Sequence, residues 1–405
     1  MRRKRVKRWT AVAIVMMVLG PGAASAQVYV RGQGEALAAD VIKVGPEGVS
    51  INLGGAPKMV GWDRVREVRG EHGADAAKEL AKVENLWRAR ARLERGDVAA
   101  AEPLLDALAA RERGVVGPTP AVVFDGLLRC RLRRGAVAEA VWAWLDWIGA
   151  RGGAIDGFTD PSSGWIGGRI EGTPVADHQT GLLTGLPPIF LRDAALDAAA
   201  VSDEWSAFRG RGPVSADMAM LYRAAMRSEA GLEPEIRSPT NPSESVRLVA
   251  DIVLARAGSE AQRAAARASL KTRLDQKEIE PWLECWCRVG MGRSLVREAD
   301  ADLRRQGVIQ LLNAPARFVR VSPRVASIAL AEAAITLQEL GDTQGALALK
   351  GELLDRFGQS AAAGWSRLHE IRSAPEPAKP PSEAKPGPTG IPSKDGATAP
   401  QGRGG

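Results

Sequence analysis

Residues Ser322 to Gly358 read SPRVASIALAEAAITLQELGDTQGALALKGELLDRFG. Two helices joined by a tight turn at Leu340-Gly341-Asp342 account for this pattern. Ser322 is placed to cap the first helix through its hydroxyl, and Pro323 follows at the first helical position, where its missing N–H costs nothing. Leu330, Ala333, Ala334, Leu337 and Leu340 recur at the three-and-four spacing of one buried face. Gly341 can adopt the left-handed conformation that ends a helix, and Asp342 can cap the next. In that second helix Ala346, Leu349, Leu353 and Phe357 keep the spacing, and Gly358 closes it.

With Gly341 as the turn glycine, Ala334 and Ala346 fall where small residues let two helices approach closely. On these positions the stretch resembles a tetratricopeptide repeat. A hairpin turning at Gly96 matches at Ala89 and Ala101. One turning at Gly135 matches at Ala140 but carries Leu128 at the other small position. The resemblance implies a mainly α fold, an α-solenoid of helical hairpins that binds a protein or peptide. An ordinary αα-hairpin in a helical bundle would give the same local pattern. Gly96 and Gly135 stand 39 residues apart, longer than the ~34 of the family, and the link Gly114–Pro118 absorbs the difference. Pro103 would cost ~3 kcal/mol inside an isolated helix and is expected to kink the second helix of the Gly96 hairpin.

Charge points away from nucleic acid. Arg2, Arg3, Lys4, Arg5, Lys7 and Arg8 supply all but one unit of the formal +7, and no basic stripe interleaved with aromatics follows. Those residues begin a signal-peptide pattern over 1–26: a basic start, an apolar run from Ala11 to Leu19, then Ala24-Ser25-Ala26. Cleavage between Ala26 and Gln27 by a Sec-type route is expected, giving an extracytoplasmic protein of the periplasm or cell envelope. No later stretch is apolar enough to span a membrane. Cys130, Cys285 and Cys287 are too few for a disulfide framework. Buried thiols are expected, with a bridge from Cys130 to one of the others left open.

Residues 27–72 form a separate module. Leu37–Val44 is expected as a strand, Gly45–Gly48 as a turn, Val49–Leu53 as an alternating strand, Gly54–Pro57 as a second turn and Lys58–Trp62 as a third strand. The pattern resembles small SH3-like β-barrels, and a short sheet capping the first hairpin fits equally. Two hairpins fill 73–150, the second carrying Trp142, Trp144 and Trp147, which cannot share one helix face. Either all are buried or one faces a groove. Residues 151–191 are rich in glycine and lack periodicity, and a loop of this length points to function or to a floppy insertion. Within it Trp165, Asp177 and His178 are the candidate ligand-binding residues, with Asp156, Asp160, Arg169 and Glu171 nearby. Helical pairs return over 192–373, expected at Asp193–Phe208, Ser215–Ala230, Ser243–Ala257 and Ser259–Leu274. A break is expected at Val289–Gly292, and a terminal helix at Ser360–Ile371. Proline and glycine dominate 374–405, which is expected to be a disordered tail.

The chain carries no zinc-ligand, calcium-loop, phosphate-loop or nucleophile-elbow spacing, and only His72, His178 and His369 as histidines. No catalytic residue, metal or cofactor is assigned. Two readings of function remain. One is a non-catalytic scaffold for protein–protein interaction in the cell envelope. The other is an envelope hydrolase with its site in 151–191.

Overall fold

The computed structural model describes residues 26–371 except 38, 154–163, 168–169, 171–174, 178 and 242. The expected signal peptide before Ala26, most of the glycine-rich loop, His178 and the tail lie outside the described residues. The fold is mainly helical with a small N-terminal β region.

Strands β1 (Gln27–Val30), β2 (Ala36–Leu37) and β6 (Val65–Arg69) form one antiparallel sheet in the order β2-β1-β6. Strands β3 (Asp40–Gly45), β4 (Gly48–Leu53) and β5 (Ala56–Val60) form a second. The stretch expected as one strand over 37–44 is therefore split, because Leu37 pairs with Val28 while Val41 pairs with Ile51. Gly54 (φ 62°) and Gly55 (φ 83°) make the β4–β5 turn, which needs positive φ at both central residues. Val28, Val49, Ile51, Val60 and Trp62 form its core. The second sheet takes its last strand from far along the chain. In β7 (Trp165–Ile166) Trp165 pairs parallel with Met59 and Ile166 with Val60, so residues 27–72 do not complete the sheets alone.

The helices are α1 (Gly73–Lys82), α2 (Leu86–Glu94), α3 (Val98–Glu112), α4 (Pro118–Arg133), α5 (Val137–Ala150), α6 (Ala194–Val201) and α7 (Pro213–Glu229). They continue as α8 (Glu244–Ala257), α9 (Glu260–Leu274), α10 (Pro281–Leu295), α11 (Ala301–Arg317), α12 (Pro323–Glu339) and α13 (Thr343–Phe357). The pairs α2–α3, α4–α5 and α12–α13 turn on Gly96, Gly135 and Gly341, all with φ between 77° and 83°. The same bond closes each turn at 2.9 Å: Asp97 N–H to Arg92 O, Ala136 N–H to Arg131 O, and Asp342 N–H to Leu337 O. This is the Schellman bond that a left-handed residue permits. Ala89, Ala101, Ala140, Ala334 and Ala346 are fully buried at the pair contacts, as is Leu128. Neighbouring helices pack on one another, and α2–α4, α8–α10 and α10–α12 also touch, an arrangement consistent with a repeat.

Several local expectations are corrected. Ser322 does not cap α12; its hydroxyl donates to Thr184 O at 3.3 Å instead. The expected break at Val289–Gly292 is absent, and α10 runs through Gly290 and Gly292. Helical glycine costs ~1 kcal/mol, but here it brings α10 against α11: a Cβ on Gly292 would meet Gly307 O at 2.9 Å. The expected helix over 193–208 stops at Val201 and continues as a 3-10 turn over Asp203–Phe208. Residues 360–371 form two 3-10 turns interrupted near Gly364 and Trp365, not a helix. All three cysteines are buried and free, so Cys130 forms no bridge.

Glu112 ends α3 with a fully buried side chain and no hydrogen-bond partner for either oxygen. Burial pushes its carboxyl up to about 7, although Arg111 Nε at 3.6 Å opposes this. The folded chain thus keeps a proton that the unfolded chain loses above its ordinary value of 4.5. Stability from this group is complete below that value and is lost as pH rises toward 7. Glu112→Gln should match the wild type in thermal unfolding at pH 4 and exceed it by about 2 kcal/mol at pH 8. An equal gap at both pH values would contradict this.

Candidate functional site: a gripped segment and an open cleft

An extended segment, Thr180–Phe190, passes between the helices and is the centre of the candidate region. Leu182, Leu183, Leu186, Ile189 and Phe190 are at most 1% exposed. Such a stretch has no strand partner, so its carbonyls must find other donors. Backbone N–H groups of Asp177, Leu186 and Ile189 serve Leu182 O, Leu183 O and Pro187 O, and side chains serve others. Ser245 of α8 donates to Thr180 O at 2.9 Å and Trp144 of α5 to Gly181 O at 3.1 Å. Trp286 of α10 and Ser322 both donate to Thr184 O, at 3.0 and 3.3 Å. Tyr222 of α7 donates to Leu186 O at 2.8 Å, Arg324 of α12 to Ile189 O at 3.0 Å and Arg293 of α10 to Phe190 O at 2.9 Å. Pro187 and Pro188 are buried there and bring no N–H to satisfy.

Arg293 is the node of this arrangement. It pairs Glu332 of α12 through Nε and Nη2, both at 2.8 Å, and Glu229 of α7 at 2.9 Å. Arg256 of α8 holds the same Glu229 at 2.9 and 3.2 Å. Burial pushes the Glu229 carboxyl up, but Arg256 and Arg293 more than offset it and hold it at about 2.

The candidates named from the sequence have separate places. Trp165 lies half-buried on β7. Asp177 Oδ1 accepts from Gln179 N–H (3.1 Å), Thr180 N–H (2.8 Å) and Thr180 Oγ1 (2.7 Å), shaping the turn that starts the gripped segment. His178 is outside the described residues. Two buried acids that the sequence did not single out flank the stretch before it. Asp63 is paired with Arg90. Asp125 accepts from Arg129 Nε at 2.8 Å and from Ile170 N–H at 3.1 Å. Both carboxyls are pushed up by burial and drawn back by their arginines. Spacing along the chain held no signal for Asp63, whose Arg90 comes from tertiary packing, whereas Asp125 has Arg129 one turn on along α4 and only the Ile170 N–H comes from packing. Among the described residues no group of three or more His, Cys, Asp or Glu could hold a metal ion, and no helix is long and apolar enough to cross a membrane.

Two further surfaces stand out. A cleft of about 1230 Å³ opens between the start of α5, α6, the N-terminus of α12 and the end of α13. Trp142, Phe190, Ile328, Phe357 and Trp365 line it together with Arg324. The three α5 tryptophans thereby divide: Trp144 is buried on Gly181 O, Trp147 lies under Arg151, and Trp142 faces the cleft, edge-on to Trp205 at 5.7 Å. At the joint of the β region and α2, Trp87 is 37% exposed, with the Arg31 and Arg88 guanidinium groups 4.8 and 5.6 Å from its ring centroid.

Arg293→Met would leave Glu332 with no bidentate partner and Phe190 O unbonded. It should destabilise the fold by about 3–5 kcal/mol in chemical denaturation. A loss below about 1 kcal/mol would show that the node is peripheral.

Comparison of this chain with protein-family models, with curated proteins and with solved structures gives no match.

Proposed function

We infer that this protein is an exported, non-catalytic scaffold of tetratricopeptide-like hairpins that holds a protein partner in the cell envelope. The repeated turn bonds at Gly96, Gly135 and Gly341 support the hairpin reading. The interior groove that a partner's peptide would enter is taken by the chain's own residues 180–190, so the partner surface is sought outside it. The observation that carries the reading is Trp87, exposed between two arginines. Tryptophan and arginine are the residue types enriched where protein interfaces concentrate their energy. The cation–π stacking of Arg31 and Arg88 also holds the ring ready, which limits the entropy lost on docking.

Export rests on the basic start, the apolar run and Ala24-Ser25-Ala26. Strand β1 begins at Gln27, so cleavage there leaves both sheets whole. N-terminal sequencing of the protein recovered from the envelope fraction should read from Gln27, and an intact Met1 would remove this part of the reading.

A photo-crosslinking residue at position 88 should capture a discrete protein partner in cells, whereas one at Ile309, which is 62% exposed on α11, should not. Trp87→Ala should weaken binding of the captured protein by about 2 kcal/mol or more. Equal capture from both positions, or none from position 88, would count against the surface.

A further inference from the structure

We propose that the cleft between α5, α6, α12 and α13 is a binding site for a long-chain monocarboxylate, its carboxylate at Arg324 and its hydrocarbon chain along Trp142, Ile328, Phe357 and Trp365.

Charge is the first argument. Arg324 lines the cleft, and its guanidinium lies 5.4 Å from the Phe190 ring centroid. Nη2 is spent on Ile189 O, but Nη1 is buried without an acceptor, and among the described residues Arg324 forms no ion pair. Asp193 favours its charge only at longer range, and the Asp193 carboxylate already caps α6 at 2.7 Å from Leu196 N. Burial lowers the Arg324 pKa to about 10, so the charge persists at neutral pH with no carboxylate in contact with it among the described residues. Arg324 also sits in the first turn of α12, which no side chain caps. The positive end of that helix dipole adds to the field at the same wall. Trp142 Nε1 is a second lining donor with no acceptor.

The walls decide what kind of anion fits. The α5 and α6 faces of the cleft present Ala136, Val137, Ala138, Ala194, Ala195 and Ala198. These side chains have nothing to donate or accept, although Val137, Ala138, Ala194 and Ala195 lie in the first turns of their helices and Glu139 and Asp193 line the same faces. A peptide laid along these alanine and valine side chains would lose hydration of its amides with no replacement from them. The contrast lies within the same molecule: residues 180–190, a true peptide, are met by seven side-chain donors. A hydrocarbon chain makes no such demand. The volume of about 1230 Å³ exceeds the ~300–1,000 Å³ of compact small-ligand pockets and leaves room for a long chain. The site does not involve the Trp87 surface, and the two can fail separately.

Isothermal titration of the full chain with dodecanoate and with dodecanol, both kept below aggregation, tests the assignment. Dodecanoate should bind one per chain, at least about tenfold more tightly than the alcohol. Arg324→Met should remove most of that difference. Ala198→Trp, on an exposed position of α6 facing the cleft, should weaken both ligands by about tenfold or more with the fold intact by circular dichroism. If Arg324→Met does not fold, the acid-to-alcohol ratio on the native chain and the Ala198→Trp result still decide. The assignment is overturned if dodecanoate does not bind, binds no better than dodecanol, or is unaffected by Ala198→Trp. It is also overturned if an apolar octapeptide binds the cleft more tightly than dodecanoate.

Discussion

A buried extended chain with no strand beside it must have its carbonyls bonded by something else. Residues 180–190 meet that constraint by recruiting side chains from α5, α7, α8, α10 and α12. The segment therefore works as an internal strap, and helices separated by more than a hundred residues in sequence are registered through it. Arg293 joins the strap to the charge network, because one guanidinium serves Phe190 O, Glu229 and Glu332. An ion pair buried this deeply contributes modest net stability, since desolvation offsets most of the attraction. Its consequence is geometric: α7, α10 and α12 are fixed relative to one another only where all three partners meet.

That strap also reshapes the functional question. A stack of helical hairpins invites the idea of a groove waiting for a peptide. Here the interior is already taken by a peptide of the same chain, gripped by donors placed for its carbonyls. What remains open is different in kind. The cleft beside Phe190 is lined by alanine and aromatic carbon together with charged residues, among them Arg324, which forms no ion pair among the described residues, and Trp87 stands exposed on α2. An apolar cleft and an aromatic–arginine surface suit different ligands, so the scaffold reading and the carboxylate site address separate parts of the molecule.

The hairpins at Gly96, Gly135 and Gly341 were legible because glycine in a left-handed turn, flanked by apolar positions at helical spacing, is a local rule. The Gly54–Gly55 turn was legible for the same reason. The errors share one cause. Ser322 looked like a cap, yet its hydroxyl serves Thr184 O. Gly290 and Gly292 looked like a break, yet close packing on Gly307 keeps the helix going. Leu37–Val44 looked like one strand, yet its halves pair in two sheets. In each case a contact with another element, 138 residues away for Ser322 and in a neighbouring strand or helix for the others, overrode the local preference. The candidate residues fared similarly: Asp177 shapes a turn, Trp165 joins a sheet, and Arg324, read only as an unremarked residue of the first helix, carries the charge of the cleft.

By itself the sequence determined the helical class, the positions of the three glycine turns, the small residues buried at their pair contacts and the presence of β structure at the front. Those follow from backbone conformation and from periodicity, which act over a few residues. Only the tertiary structure decided that β7 would complete the second sheet, that residues 180–190 would run through the helices as a strap, and that Arg324 would be left without an acid. Each of these depends on which group reaches which partner in another element, from 36 to 138 residues away for the bonds to residues 180–190, and that matching is settled by packing, not by spacing along the chain.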